Sequence, residues 1–486
     1  MIKNILTIIL SLIVLTSIAQ QSMNMTEVSN FYPSNVTPGN PEQFNDIWGY
    51  VAPDGREYAI FGSVSGTYFI DVTNAASPME IDYFPGGGTG IWRDFKTYKH
   101  YAFGVADVTS GNTLQIFDLQ YLPDSVVKVY DDNTFSSNCH NIHVNNDRLY
   151  LISNTRGGSY YPLDVLCIED PENPYLIGGI RNGINVSGNY STSHDAFVHD
   201  DTVYLSVYFN NTGNDGLHVF DMTDPENPDL IGSIQNYPVA GINHASWMSS
   251  DGTHLIMADE TLTSPIKMVD ITDLTNMQAI STFAPNPGAI AHNPFIKDCL
   301  AIISYYHEGV QIYDVSNPSS PTRVGYFDTD TTIGNGNYSP NYRGCWGVYP
   351  YLPSGNIIAA DRKNGLFVLT YDGTYPNCSG DFDKVVEVDT SKYCEDTVTT
   401  VALNNFSANN IEIYPNPSKG IFHVISDQNV INEIVVYDIR GLEIARVKSN
   451  IYRRDIQLDL SSEESGIYFV HLFFNEGEKR MKIFKE

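Results

Sequence analysis

A chain of 486 residues, 17% of them charged and 12% aromatic, is long enough for more than one domain and suits a strand-rich globular protein. Its formal net charge of −30 argues against nucleic acid and anionic membrane surfaces as partners, because affinity for both comes from phosphates neutralised by Lys and Arg. Acidic loops that keep an exported protein soluble account for the charge most simply, with cation binding a secondary role.

Taken in chain order, Lys3, an apolar run from Ile5 to Ile18 and the small residue Ala19 read as a secretory signal peptide over residues 1–20, too short for a stable membrane span. No later stretch is apolar for long enough to cross a bilayer, so no transmembrane segment is expected in the mature chain. Residues Met25 to Tyr32, MTEVSNFY, resemble later strands such as MEIDYF and TRVGYF.

From Asn45 onward one unit repeats. In Ser193–Ile234, a short apolar run, the strand-favouring segment Val203–Tyr208, the alternating Leu217–Met222 and Leu230–Ile234 are separated by turn signals, giving four strands. Seven copies are counted, their first strands aligned on Trp48, Trp92, His140, His194, His244, His292 and Trp346 at separations of 44 to 54 residues. Four strands at that period mark a β-propeller, because one small sheet cannot bury its faces until neighbours close a ring. The expected fold is all-β: a seven-bladed β-propeller over residues 22–371, with Met25–Tyr32 closing the ring as the outer strand of the last blade. A repeated Asp at 71, 118, 221, 270 and 314 reads as a turn former on the rim opposite the candidate site. Gly86-Gly-Gly88 lacks the Lys-Ser/Thr of a phosphate loop and reads as a flexible turn.

Six cysteines stand at 139, 167, 299, 345, 378 and 394, with no CxxC pair. Cys378 and Cys394 are the expected disulfide, worth roughly 3 kcal/mol in the chain-entropy model, and the other four are expected to be buried free thiols. A polar linker over residues 372–406 leads to a second module, residues 407–486, whose period-two alternation between turn signals predicts a small Ig-like β-sandwich.

This module resembles the C-terminal type A sorting domain of the type IX secretion system, through YPNP at Tyr414–Pro417, Val436–Gly441, SGIYFV at Ser465–Val470 and the closing Lys482–Lys485. The resemblance implies export by way of the periplasm, recognition by the type IX secretion machinery and a secreted or outer-surface location. The repeats resemble the choice-of-anchor B proteins with LVIVD-type repeats, through NDIWGYVAPDGREYAIFGSVSGTYFIDVT at Asn45–Thr73, WRDFKTY, CHNIHV, SHDAFV, AHNPFIK and SGNIIAADRKNGLFVL. That resemblance implies an exported propeller and no established activity.

In a propeller, the starts of the inner strands and the loops between second and third strands share one rim. His140, His194, His244 and His292 begin four consecutive inner strands, and the loops add Asp107, Asn154, Arg156, Asn210, Asp259, Glu260, His307, Glu308, Asp361 and Arg362. Imidazoles and carboxylates converging on a concave rim make a ligand site; the four histidines are the candidate ligands of a zinc-like divalent metal, the expected cofactor if there is one. Trp48, Trp92 and Trp346 are expected to wall the rest of the mouth for stacking. The alternative is that the histidines fill the channel and bond ordered water. Two function classes follow: a binding propeller for a glycan, peptide or small molecule, or a metal-dependent hydrolase or lyase with Asp259, Glu260 or Glu308 as general base. No GxSxG or HExxH motif is present.

Overall fold

Strands of alternating or continuous apolar residues separated by Pro, Gly, Asp and Asn leave a chain almost without helix, and the computed structural model has two short 3-10 turns and no longer helix among its described residues. These are residues 22–37, 42–107, 111–208, 215–332, 342–376, 411–426, 431–437, 443–448, 455–463, 465–474 and 477–485. The signal peptide, Asn210, most of the linker and the Cys378–Cys394 pair lie outside them. The chain divides into two compact units, residues 1–396 and 397–486. No helix among the described residues is long and apolar enough to cross a membrane.

The first unit is a β-propeller. Its described residues form seven antiparallel sheets, six of which follow chain order from first to fourth strand. The first strands, Phe44–Val51, Trp92–Tyr98, Asn138–Asn145, Ser193–His199, Asn243–Met248, Ala291–Lys297 and Cys345–Tyr349, each touch the next, and the last touches the first. Second and third strands carry unbroken apolar runs, such as Leu149–Ile152 and Leu255–Ala258, because both faces of every sheet are covered by a neighbour. The core of the described residues accordingly has one cluster between each adjacent pair of sheets, with a small further one of Ile290, Tyr306 and Trp346: Tyr150, Leu163 and Val165 pack on Val203, Leu205 and Phe220, for instance, and Phe61 and Ile70 on Ile358 and Val368 to complete the circuit. Each fully buried Leu, Ile, Val or Phe contributes about 1.5–3 kcal/mol.

All seven pairings of third with fourth strand contain a β-bulge, which adds twist where the sheets splay toward solvent. In the seventh sheet the fourth strand is Met25–Phe31, paired with Gly365–Tyr371. Ser22–Met23 goes further and adds a fifth strand to the sixth sheet, against Tyr326 and Phe327. Asn24, at φ 51°, turns the chain between the two sheets and donates to Val324 O at 2.8 Å.

On one rim the repeated aspartates cap the turns: Oδ1 of Asp71, Asp118, Asp221, Asp270 and Asp314 accepts the N–H two residues on, at 2.8 to 3.0 Å. Two expectations are corrected. Cys167 and Cys299 are each disulfide-bonded, not free, whereas Cys139 and Cys345 are buried free thiols; Cys167 ends a third strand and Cys299 sits in the turn between the first two strands of the sixth sheet, while Cys139 and Cys345 lie on first strands. The triple glycine is a close-packing device more than a flexible turn. Gly88 O accepts Arg93 Nη2 at 2.8 Å, and a Cβ on Gly87 would fall 1.4 Å from Gly111 O.

The second unit holds a three-stranded sheet, Ile411–Tyr414, Ile421–Ser426 and Asp455–Asp459, and a four-stranded one, Ile431–Tyr437, Glu443–Lys448, Gly466–Phe474 and Gly477–Lys485. Phe422, Val424 and Leu458 from the first share one core with Ile434, Val436, Val470 and Ile483 from the second.

Candidate functional site

The first strands position the site through a local irregularity. In the fourth sheet Ser193 pairs with Val207 and Ala196 with Leu205, so His194 and Asp195 bulge out of the ladder toward the axis. The same shift occurs in the first, fifth, sixth and seventh sheets, and bulges re-aim side chains in this way. Aligning the ladders brings Asn45, Arg93, His140, His194, His244, His292 and Trp346 into one register. Trp48 and Trp92, placed in that register from the sequence, do not belong to it. Trp92 is one residue earlier and still reaches the cavity. Trp48 is three residues deeper, against Tyr349 at 5.0 Å and under the Lys96 ammonium at 4.4 Å. The physical reason is that the bulge, not the aromatic side chain, marks equivalence.

The four imidazoles stand in a row, with ring centroids 4.2, 4.2 and 4.3 Å apart from His140 through His194 and His244 to His292. His140 Nδ1 lies 2.8 Å from Asp107 Oδ2, and its Nε2 lies 3.0 Å from His194 Nε2. Burial works against the Asp107 charge, yet the His140 bond holds its carboxyl below the usual range. Burial, reinforced by the neighbouring imidazoles, drives His194, His244 and His292 well below the ordinary histidine pKa, so they are neutral at pH 7. His292 packs against Trp346 at 4.8 Å and Tyr306 at 5.0 Å. Glu260 enters from the loop after the fifth sheet's second strand; Tyr306 Oη donates to its Oε1 at 2.6 Å, and burial pushes its carboxyl up to about 7. Ligating atoms of His194, His244 and Glu260 all lie within 4.8 Å of one another.

Above this row opens a cavity of about 310 Å³, whose lining mixes His140, His194, Asp107, Glu260 and Arg362 with the aromatic residues Trp92, Tyr208, Tyr306, Tyr342 and Trp346. That volume is at the lower end of small-molecule sites, ~300–1,000 Å³. Trp92 is 42% exposed and so presents its ring to solvent. Arg362 is almost fully buried, lies 5.3 Å from the Trp346 ring centroid, donates to Tyr342 O and pairs with Glu42 at 3.1 Å.

Other rim candidates are committed elsewhere. Asp259 is fully buried and accepts from Lys267 Nζ at 2.6 Å, Gly241 N at 2.8 Å and Ser264 Oγ at 3.1 Å, so it pins loops. Asp361 accepts from Thr329 Oγ1 at 2.6 Å and the N–H groups of Lys363 and Asn364 at 2.9 and 2.8 Å; burial lifts its carboxyl to about 6. Asn154 and Arg156 bond Asp164 at 2.8 and 3.0 Å. His307 and Glu308 sit on the short turn Tyr306–Glu308, outside the cavity lining, and Glu308 accepts from Asn286 at 3.3 Å.

One residue deeper than the imidazoles comes a layer that sequence reasoning missed: Asp46, Asp94, Asn141, Asp195 and Asn293, of which Asp46, Asp94, Asn141 and Asn293 border a void of about 20 Å³ that has room for one water. Lys96 Nζ bonds Asp94 at 2.8 and 3.0 Å. Burial, with Asp94 adding, raises Asp46 well above the carboxylate range and Asp195 to about 7. Burial pulls Lys96 down, but Asp94 and Asp46 hold it above its ordinary value. The D in FND, WRD and SHD was the available signal. Tyr208, Tyr306 and Tyr342 were missed because they lie in loops without a repeated register.

Residues 412–486 match the family model of the secretion system C-terminal sorting domain, and residues 302–329 match the LVIVD repeat. The first match implies export by type IX secretion, interaction with that machinery and a secreted or cell-surface location. No curated protein matches the chain closely enough to count as a relative. Among solved structures, a putative 6-phosphogluconolactonase (BF1038) from Bacteroides fragilis is 13% identical at TM-score 0.45, covering 70% of this chain and 98% of that one. The β-propeller domain of Myceliophteria thermophila Cps50 (Swd1) is 11% identical at TM-score 0.47, covering 71% and 98%. Kuenenia stuttgartiensis hydrazine synthase is 10% identical at TM-score 0.47, covering 70% and 98%.

Proposed function

We propose that this protein is an exported seven-bladed propeller of the choice-of-anchor B kind, carried through the periplasm by its Ig-like C-terminal domain, that binds a small sugar-like or planar polar molecule at the histidine-bearing mouth. The observation that carries this reading is the presence of two chemistries in the lining of one cavity. Trp92, Trp346, Tyr306 and Tyr342 supply faces for stacking, while neutral imidazoles, Glu260 and Arg362 supply directional donors and acceptors. Keeping the imidazoles neutral suits hydroxyl recognition, since each offers one donor and one acceptor. A thermal-shift survey of monosaccharides, sugar acids and planar heterocycles tests it. A raised melting temperature for wild-type protein, lost in Trp92→Ala, is expected; a ligand that shifts both proteins equally would place binding elsewhere.

A further inference from the structure

We infer that His194, His244 and Glu260 form a binding site for one divalent first-row transition metal, with an open coordination position turned toward the cavity. Their ligating atoms already lie within 4.8 Å of one another. Ligands held at ~2.0–2.2 Å from a tetrahedral ion are ~3.4 Å apart, so small side-chain rotations close the set. Two imidazoles and one carboxylate suit zinc or iron(II) and leave positions free, whereas calcium and magnesium require oxygen shells that this cluster does not provide.

Two surroundings favour an ion over a packed polar filler. Glu260 is fixed by the Tyr306 hydroxyl, and Asp107 holds Nδ1 of the adjoining His140, the arrangement that orients imidazoles around metals. In contrast, the deeper carboxylates Asp46 and Asp94 already have Lys96 as their cation. His292, packed between Trp346 and Tyr306, stays outside the set.

This inference shares its cavity with the ligand reading but does not depend on the ligand. Full-length protein, purified without a tag and stripped with chelator, is titrated with Zn²⁺ by calorimetry and with Co²⁺ by visible absorption. One equivalent per chain is expected, with a Co²⁺ ligand-field band of four- or five-coordinate intensity. His244→Ala should weaken binding by about 100-fold and Glu260→Gln by about 10-fold, and Asp221→Ala, on the opposite rim, should leave it unchanged. Should His244→Ala fail to fold, X-ray absorption of zinc-loaded wild type decides, since two imidazole scatterers are required. Absence of a stoichiometric site, equal affinity in both variants, or a zinc shell lacking imidazole overturns the proposal. Ligand binding that persists in metal-free protein, with no site found, would overturn it while leaving the ligand reading intact.

Discussion

The two ends of the propeller's channel are built from the same strands, three residues apart, yet they hold opposite chemistry. At the mouth, His140, His194, His244 and His292 line up beneath an open cavity. Deeper in, Trp48, His143, Phe197, Trp247, Phe295 and Tyr349 interlock, with Phe197–Trp247 and Trp247–Phe295 centroids at 4.9 and 4.6 Å. Between them Lys96 is clamped on Asp94. Burial alone therefore does not identify function. His143 and His244 are both buried and both held neutral; only the second borders a void.

The largest effect should come from the strand that closes the ring. Deleting residues 22–33 removes the outer strand of the seventh sheet and the fifth strand of the sixth, exposing two edges at once. Loss of cooperative melting, or a fall of roughly 10 °C or more, is expected; an unchanged melting curve would show that neither channel end needs the closure. Next, Lys96→Met leaves Asp94 without its buried cation and should cost about 3–5 kcal/mol at pH 7 in urea unfolding, because an uncompensated charge remains inside. The deficit should shrink on acidification as the carboxyls take up protons. A constant deficit across pH would contradict the assignment.

Trp247→Ala should cost about 3–5 kcal/mol through the cavity it opens, whereas Trp92→Ala, at a 42% exposed position, should stay within about 0.5 kcal/mol. Denaturation midpoints check this pair, and equal losses would erase the distinction between core and mouth. Smallest is a pH effect at the deep end. Burial, then the nearby Lys96 charge, lowers His143 to about 3. An imidazole depressed in the folded state gives stability that is present above its unfolded value near 6.5 and lost as pH falls. The loss is about 1.4 kcal/mol per pH unit, or ~2 kcal/mol between pH 6.5 and 5. In His143→Phe that part of the slope should vanish; parallel stability–pH curves would mean that His143 is not held neutral.

Much of this was legible beforehand, for physical reasons. A strand period of two and Asx turns at each Asp-x-Thr or Asp-x-Ser leave strong local marks, so the sheets and their opposite-rim caps could be read from residues such as Asp221 and Thr223. The histidine row was visible because His140, His194, His244 and His292 stand near the start of four consecutive first strands, 48 to 54 residues apart. The register of the first two sheets was not, since Asn45 and Arg93 replace histidine there, and tryptophans nearby offered a false anchor. Charge pairing across sheets, as between Lys96 and the Asp46–Asp94 layer, also leaves no mark in the linear chain.

The central claim is that the mouth binds while the deep end holds the fold. A crystal structure of the protein soaked with the molecule that the thermal-shift survey selects tests it most directly. Difference density between Trp92 and Trp346, above His194 and Glu260, is the predicted result; density confined to the aspartate-capped rim or to the outer strands, with the cavity empty, would contradict it.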